Sequence, residues 1–125
     1  MYKRQEQTRL ELQGRVSWGP IRLGNQVLLT TDQGGLYCFG TGQSLIWQNE
    51  QFEAQPVGKP SVAGQTYLIA TRDGSLKIIN PTNGAVSETI ETSQTISDSP
   101  VVISNRAFLP TSDGGLAVIE LGQAL

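Results

Sequence analysis

A period of forty residues constrains this chain more than any other feature. Pro20, Pro60 and Pro100 recur at that spacing, as do Thr31, Thr71 and Thr111. Gly34, Gly74 and Gly114 keep it, and so do Leu36, Leu76 and Leu116. Apolar positions coincide between these anchors: Leu28, Leu68 and Phe108, then Leu29, Ile69 and Leu109, then Cys38, Ile78 and Val118. A fixed period of this length marks a repeat architecture. Each copy is one supersecondary unit that buries its faces against its neighbours.

Each copy reads as short strands joined by turns. In the third, residues 105–111 form a strand-like run, 112–115 a turn and 116–120 a second strand. Gln33-Gly34, Asp73-Gly74 and Asp113-Gly114 signal tight primed hairpins, because such turns need positive φ. Pro60 and Pro100 open short strands, where a missing N–H does least harm. Pro110 falls within a strand and predicts a bulge or an unpaired position. Residues 40–43 and 80–84 form a second turn, followed by fourth strands over 44–48 and 85–90. No helical period competes over any long window.

Four strands per forty residues is the spacing of a β-propeller blade. The expected fold is therefore all-β, with blades of four antiparallel strands in three repeats, as a partial ring or one completed by oligomerisation. Residues 1–7 read as a disordered polar tail. Residues 8–19 carry the outer strand of a preceding blade, over the alternating stretch Thr8–Gln13. Repeats then span 20–59, 60–99 and 100–125, the last lacking its final strand. The count is twelve strands, and the N-terminal strand of another copy is expected to supply the missing one.

The residues that carry a family resemblance are Val27–Phe39 with Gly42 and Trp47, and Tyr67–Ile79 with Asn80 and Gly84. Proline, an apolar strand, Thr-x-x-Gly-x-Leu, then Asn-x-x-x-Gly and tryptophan resemble the PQQ-enzyme-type (quinoprotein-like) propeller repeat. The likeness covers residues 14–121. The second copy departs from it with Thr89 where the family has tryptophan. The Gly-His and Trp-Asp signatures of WD repeats are absent. The resemblance implies the propeller fold rather than the quinone chemistry. Family members that bind the quinone use calcium, acidic ligands and vicinal cysteines, and relatives without it serve as assembly scaffolds. A single cysteine, Cys38, cannot supply the pair.

Composition narrows the function classes. The chain has no histidine, which removes the commonest general base and metal ligand. Ser-His-Asp and Cys-His sites are impossible within it. One cysteine permits no intrachain disulfide and no cysteine-based zinc cluster. A net charge of −2 argues against a broad nucleic-acid or anionic-membrane surface. No apolar run approaches the ~18 residues a spanning helix needs. No secretory segment follows Met1 either, so the chain is expected to be soluble and not membrane-inserted.

Candidate contact residues are few. Trp18 is aromatic where the matching positions hold Gly58 and Asp98, which marks it as a candidate contact surface near a blade rim. Asp73 and Asp113 sit at loop rims as turn residues, and one carboxylate per loop does not make a calcium site. Trp47 reads as packing between blades and Cys38 as a buried small hydrophobe. No catalytic, cofactor-binding or metal-binding residue is expected, and neither is enzyme activity.

Three blades alone leave two apolar faces bare, whereas closed propellers have four to eight. A homodimer closing a six-bladed ring is therefore expected, or else a piece of a longer propeller. The leading functional expectation is a non-catalytic protein-binding or scaffold module. A carbohydrate- or small-ligand-binding propeller comes second, and a fragment of a quinone-dependent dehydrogenase third.

Overall fold

A computed structural model describes residues 9–42 and 44–122. The tail expected over 1–7 lies outside them. Eleven strands form three antiparallel sheets. The first holds β1 (Val16–Leu23), β2 (Gln26–Thr31), β3 (Gly35–Phe39) and β4 (Leu45–Asn49), in that order. The second repeats the pattern with β5 (Ser61–Ala63), β6 (Thr66–Ala70), β7 (Ser75–Ile79) and β8 (Val86–Glu91). The third has β9 (Val101–Ile103), β10 (Arg106–Pro110) and β11 (Leu116–Glu120), with β10 in the middle.

The central strands are apolar on both faces because a middle sheet has two neighbours. Along β6, Tyr67 and Ile69 turn towards the first sheet, while Leu68 and Ala70 turn towards the third. This is the period-two alternation of a strand applied to two cores at once. The first inter-sheet layer joins Leu28, Leu36 and Cys38 to Ile69 and Ile79. The second joins Leu68, Leu76 and Ile78 to Ala107 and Leu109. Each buried leucine or isoleucine stabilises the stack by about 1.5–3 kcal/mol.

The segments that enter the sheets obey the forty-residue period in their hydrogen bonds. The N–H groups of Asp32, Arg72 and Ser112 donate to the carbonyls of Arg15, Gln55 and Thr95, at 3.0, 2.8 and 2.8 Å. Gln55 and Thr95 lie on the connectors that lead from β4 and β8 into the next sheet. Arg15 lies at the corresponding place before β1.

Several local expectations are corrected. The Asp-Gly hairpins are three-residue loops, not two-residue primed turns. The Thr71 N–H donates to Ser75 O at 2.9 Å, and the Gly74 N–H donates back to Thr71 O at 3.0 Å. Only Gly74 needs positive φ (94°), as in a type I turn closed by a glycine bulge. The loop before Gly115 repeats this arrangement, with Gly114 also at 94°. In the first hairpin the left-handed residue is Gly35 (81°) rather than Gly34.

The strand expected over Thr8–Gln13 is not formed in the single chain. Thr8 lies outside the described residues, and among those described no strand precedes Val16. A strand needs an edge to bond, and no edge of this chain pairs with that stretch. The described residues therefore hold eleven strands where twelve are expected. Pro110 makes no bulge: it is the last residue of β10 and faces Leu116 in unbroken register. Pro20 lies inside β1, where the register shifts between Trp18 and Ile21. An interrupted ladder accepts a residue without an N–H.

Candidate functional site

The junction between the first two sheets is organised by Trp47. The side chain lies in the core layer, and its Nε1 donates to Pro81 O, at 2.8 Å, in the turn between β7 and β8. Gly84 closes that turn with φ of 77°, and a Cβ there would overlap the Trp47 ring. Asn49, two residues beyond Trp47, donates from Nδ2 to Gly84 O at 2.8 Å. Asn80 and Asn83 hold the turn by accepting the N–H groups of Thr82 and Ala85, both at 2.9 Å. Asparagine and glycine are thus required here by turn chemistry and by the close approach of an indole. Trp47 is inter-blade packing, as expected.

The register also revises one alignment. Trp47 stands opposite Cys38, and Glu88 stands opposite Ile78. The counterpart of Trp47 is therefore Glu88, one residue before Thr89. Both outer strands carry a register shift next to this pair, which a count along the sequence does not resolve. Exposed Glu88 docks nothing, and the second junction is filled by Ile90 and Ile96 instead.

The structure separates the three candidate contact residues. Trp18 is partly buried, packs on the first core layer and donates from Nε1 to Gly58 O at 2.9 Å. It ties β1 to the connector before β5. Asp73 accepts from the Thr71 hydroxyl and from Ser75 N–H at 3.3 Å. Those bonds, the hydroxyl first, hold its carboxyl below the ordinary carboxylate range. Asp113 repeats the arrangement with Thr111 and Gly115, and its carboxyl is likewise lowered, chiefly by the threonine. Both aspartates are acceptors built into a turn.

An open groove of about 1130 Å³ runs between the connector after β4 and the outer strand β8. Glu50, Glu53, Asp73 and Lys77 give it mixed charge, and Phe52 and Thr89 are among its other lining residues. Asp113 borders a separate recess of about 250 Å³ formed with Ser93, Gln94 and Thr95. Trp18 lines neither. The sequence reading named Asp73 but missed the rest of the groove. Its lining comes from a connector and a strand edge with no shared motif, so no spacing in the sequence signals it.

Cys38 is buried, and desolvation pushes its thiol up to about 11. Burial, and then the neighbouring Cys38, raise Tyr67, whose hydroxyl bonds Gln26 Oε1 at 2.7 Å. Among the described residues no three Cys, Asp or Glu gather as metal ligands, and no helix is long and apolar enough to cross a membrane.

A second exposed feature lies on the third sheet. Val101 and Ile103 on β9, and Leu116 and Val118 on β11, are 50–62% exposed. Cross-strand pairing sets Val101 and Val118 on either side of Phe108, forming one apolar face.

No family model and no curated protein matches the sequence. Solved structures do match. BamB from Moraxella catarrhalis is similar over 82% of this chain and 31% of its own, at a TM-score of 0.65 and 20% identity. A quinohemoprotein alcohol dehydrogenase from Pseudomonas putida HK5 is similar over 90% of this chain and 20% of its own, at 0.63 and 18%. The computationally designed Ika4 protein is similar over 82% and 64%, at 0.61 and 14%. The fold is that of β-propeller blades. The chain spans about a third of the length of BamB and a fifth of the dehydrogenase. The sheets are accordingly called blades below.

Proposed function

We propose that the chain is a non-catalytic, protein-binding scaffold module that uses the outer surface of its blades. The groove beside β8 carries this reading: it is wide, open, of mixed charge, and lies where the first two blades pack together. Surfaces already formed before binding lower the ordering cost of association. Three side chains of chemical interest are committed to the fold. Asp73 supports a turn, Cys38 is buried with a raised thiol, and Trp47 is locked to Pro81. The solved structures that share the fold include BamB and a quinohemoprotein alcohol dehydrogenase, and the latter names the competing reading.

A photo-crosslinking residue at Thr89, within the groove, tests the reading in cells that express the chain. A protein adduct that disappears on Lys77→Glu is the expected result. Specific signals on a glycan array with no protein adduct would replace this reading with a carbohydrate-binding one. An absorbance change on adding quinone and calcium would replace it with the dehydrogenase one.

A further inference from the structure

We propose that the open face of the third blade is closed by a second copy of this chain. The segment Arg9–Leu12 of that copy pairs along β11, and its first blade seats on the exposed face. The two earlier blades each carry a fourth strand, β4 or β8, on the outer side of the third strand. Strand β11 has no such partner among the described residues, so its outer N–H and C=O groups form an open template. The face next to it uses the positions that close the other junctions. Leu36 and Leu76 are fully buried where Leu116 is exposed, and Cys38 and Ile78 are buried where Val118 is exposed.

The occupant follows from the connectors. Arg15 accepts the same backbone bond that Gln55 and Thr95 accept, and those two lead in from the outer strand of the preceding blade. The chain before Arg15 therefore arrives from the position of an outer strand of a blade preceding the first. In the second blade that approach is explicit. Thr92 N–H donates to Gly74 O at 2.9 Å, and Gln94 O lies against Gly74. Eighty residues earlier stand Leu12 and Gly14, while Gly114, the counterpart of Gly74, faces open space. Ile90 pairs with Leu76, which sets exposed Leu10 against Leu116.

The second copy also brings a matching face. Its Val27, Leu29 and Phe39 are the counterparts of Tyr67, Ile69 and Ile79, which close the first junction from the far side. They are equally the counterparts of Ala107, Leu109 and Ile119, which close the second. Two such contacts related by a twofold axis satisfy both copies at once.

Light scattering of the 125-residue chain at micromolar concentration is expected to give twice its 13.5 kDa mass. Val118→Asp is expected to give 13.5 kDa with an unchanged circular dichroism spectrum. A second experiment does not depend on that variant. Oxidation of a mixture of Leu10→Cys and Leu116→Cys chains is expected to yield a disulfide-linked heterodimer that neither chain yields alone, since directly opposed strand residues are near bridging distance. A mass of 13.5 kDa for the unsubstituted chain overturns the proposal. So does a disulfide formed by Leu116→Cys alone, which would mean that two third blades meet face to face. Either failure leaves the groove reading intact, because that reading is tested at Thr89.

Discussion

On β7, Leu76 and Ile78 are fully buried; on β11, forty residues later, Leu116 and Val118 are 60% and 50% exposed. The strands are alike in apolar pattern, hairpin and register with the strand before them. They differ in what lies beyond. The second blade has β8 at its edge and the third blade on its face, and the third blade has neither among the described residues. An apolar residue in this repeat is thus a statement about a neighbour, and its contribution to stability depends on whether that neighbour is present.

The two closed junctions are themselves unequal, and the largest expected effect separates them. Trp47→Ala removes a buried indole and its bond to Pro81, and is expected to lower the unfolding free energy by about 4 kcal/mol in urea titrations. Glu88→Ala, at the corresponding place in the second blade, is expected to change it by less than about 0.5 kcal/mol. Equal effects would mean that both junctions are held in the same way.

The comparison of β7 with β11 is tested next. Leu76→Ala is expected to cost about 3 kcal/mol, within the usual range for a buried leucine. Leu116→Ala is expected to cost less than about 0.5 kcal/mol in dilute solution. A cost for Leu116→Ala that grows with protein concentration would show the open face being covered.

The paired glycines come third. Both Gly74 and Gly114 adopt φ of 94°, so alanine at either is expected to cost about 1 kcal/mol of left-handed strain. At Gly74 the added Cβ also meets the carbonyl of Gln94, whereas at Gly114 it meets nothing. Gly74→Ala is expected to cost about 1–3 kcal/mol more, as overpacking does. Thermal unfolding that gives the two variants equal midpoints would break the comparison.

The smallest effect concerns acid. Asp73 and Asp113 are held below the ordinary carboxylate value of about 4 by their threonines. A depressed folded value means that the contribution is complete above the ordinary value. It is lost as pH falls through the folded one. Stability followed by denaturant titration is therefore expected to fall as pH drops below about 4. Thr71→Val and Thr111→Val are each expected to flatten that fall, and by similar amounts. Unequal flattening would mean that the connector over Gly74 contributes to the turn.

Much of this was legible in the sequence because the repeat is written in residues whose roles are local. Gly74 and Gly114 mark loops that need left-handed backbone, Pro60 and Pro100 precede short strands, and alternation along 66–70 names two faces. The turn type was misjudged because Asp-Gly fits both two- and three-residue loops, and hydrogen-bond register alone tells them apart. Trp18 stood out correctly as unmatched, yet its indole serves a bond to Gly58 across a junction. The alignment of Trp47 slipped by one because a register shift in an outer strand leaves no mark in composition.

By itself the sequence determined the unit: four-stranded blades, their boundaries in the hairpins, and the alternation that makes a strand apolar on both faces. These follow from steric limits on φ and from the pleat, which act over a few residues. The tertiary structure decided which faces are buried, which aspartates are committed to turns, and where a groove opens between a connector and β8. Those outcomes depend on contacts between residues far apart in the chain, and a forty-residue pattern is the same whether or not the next blade is there to meet it.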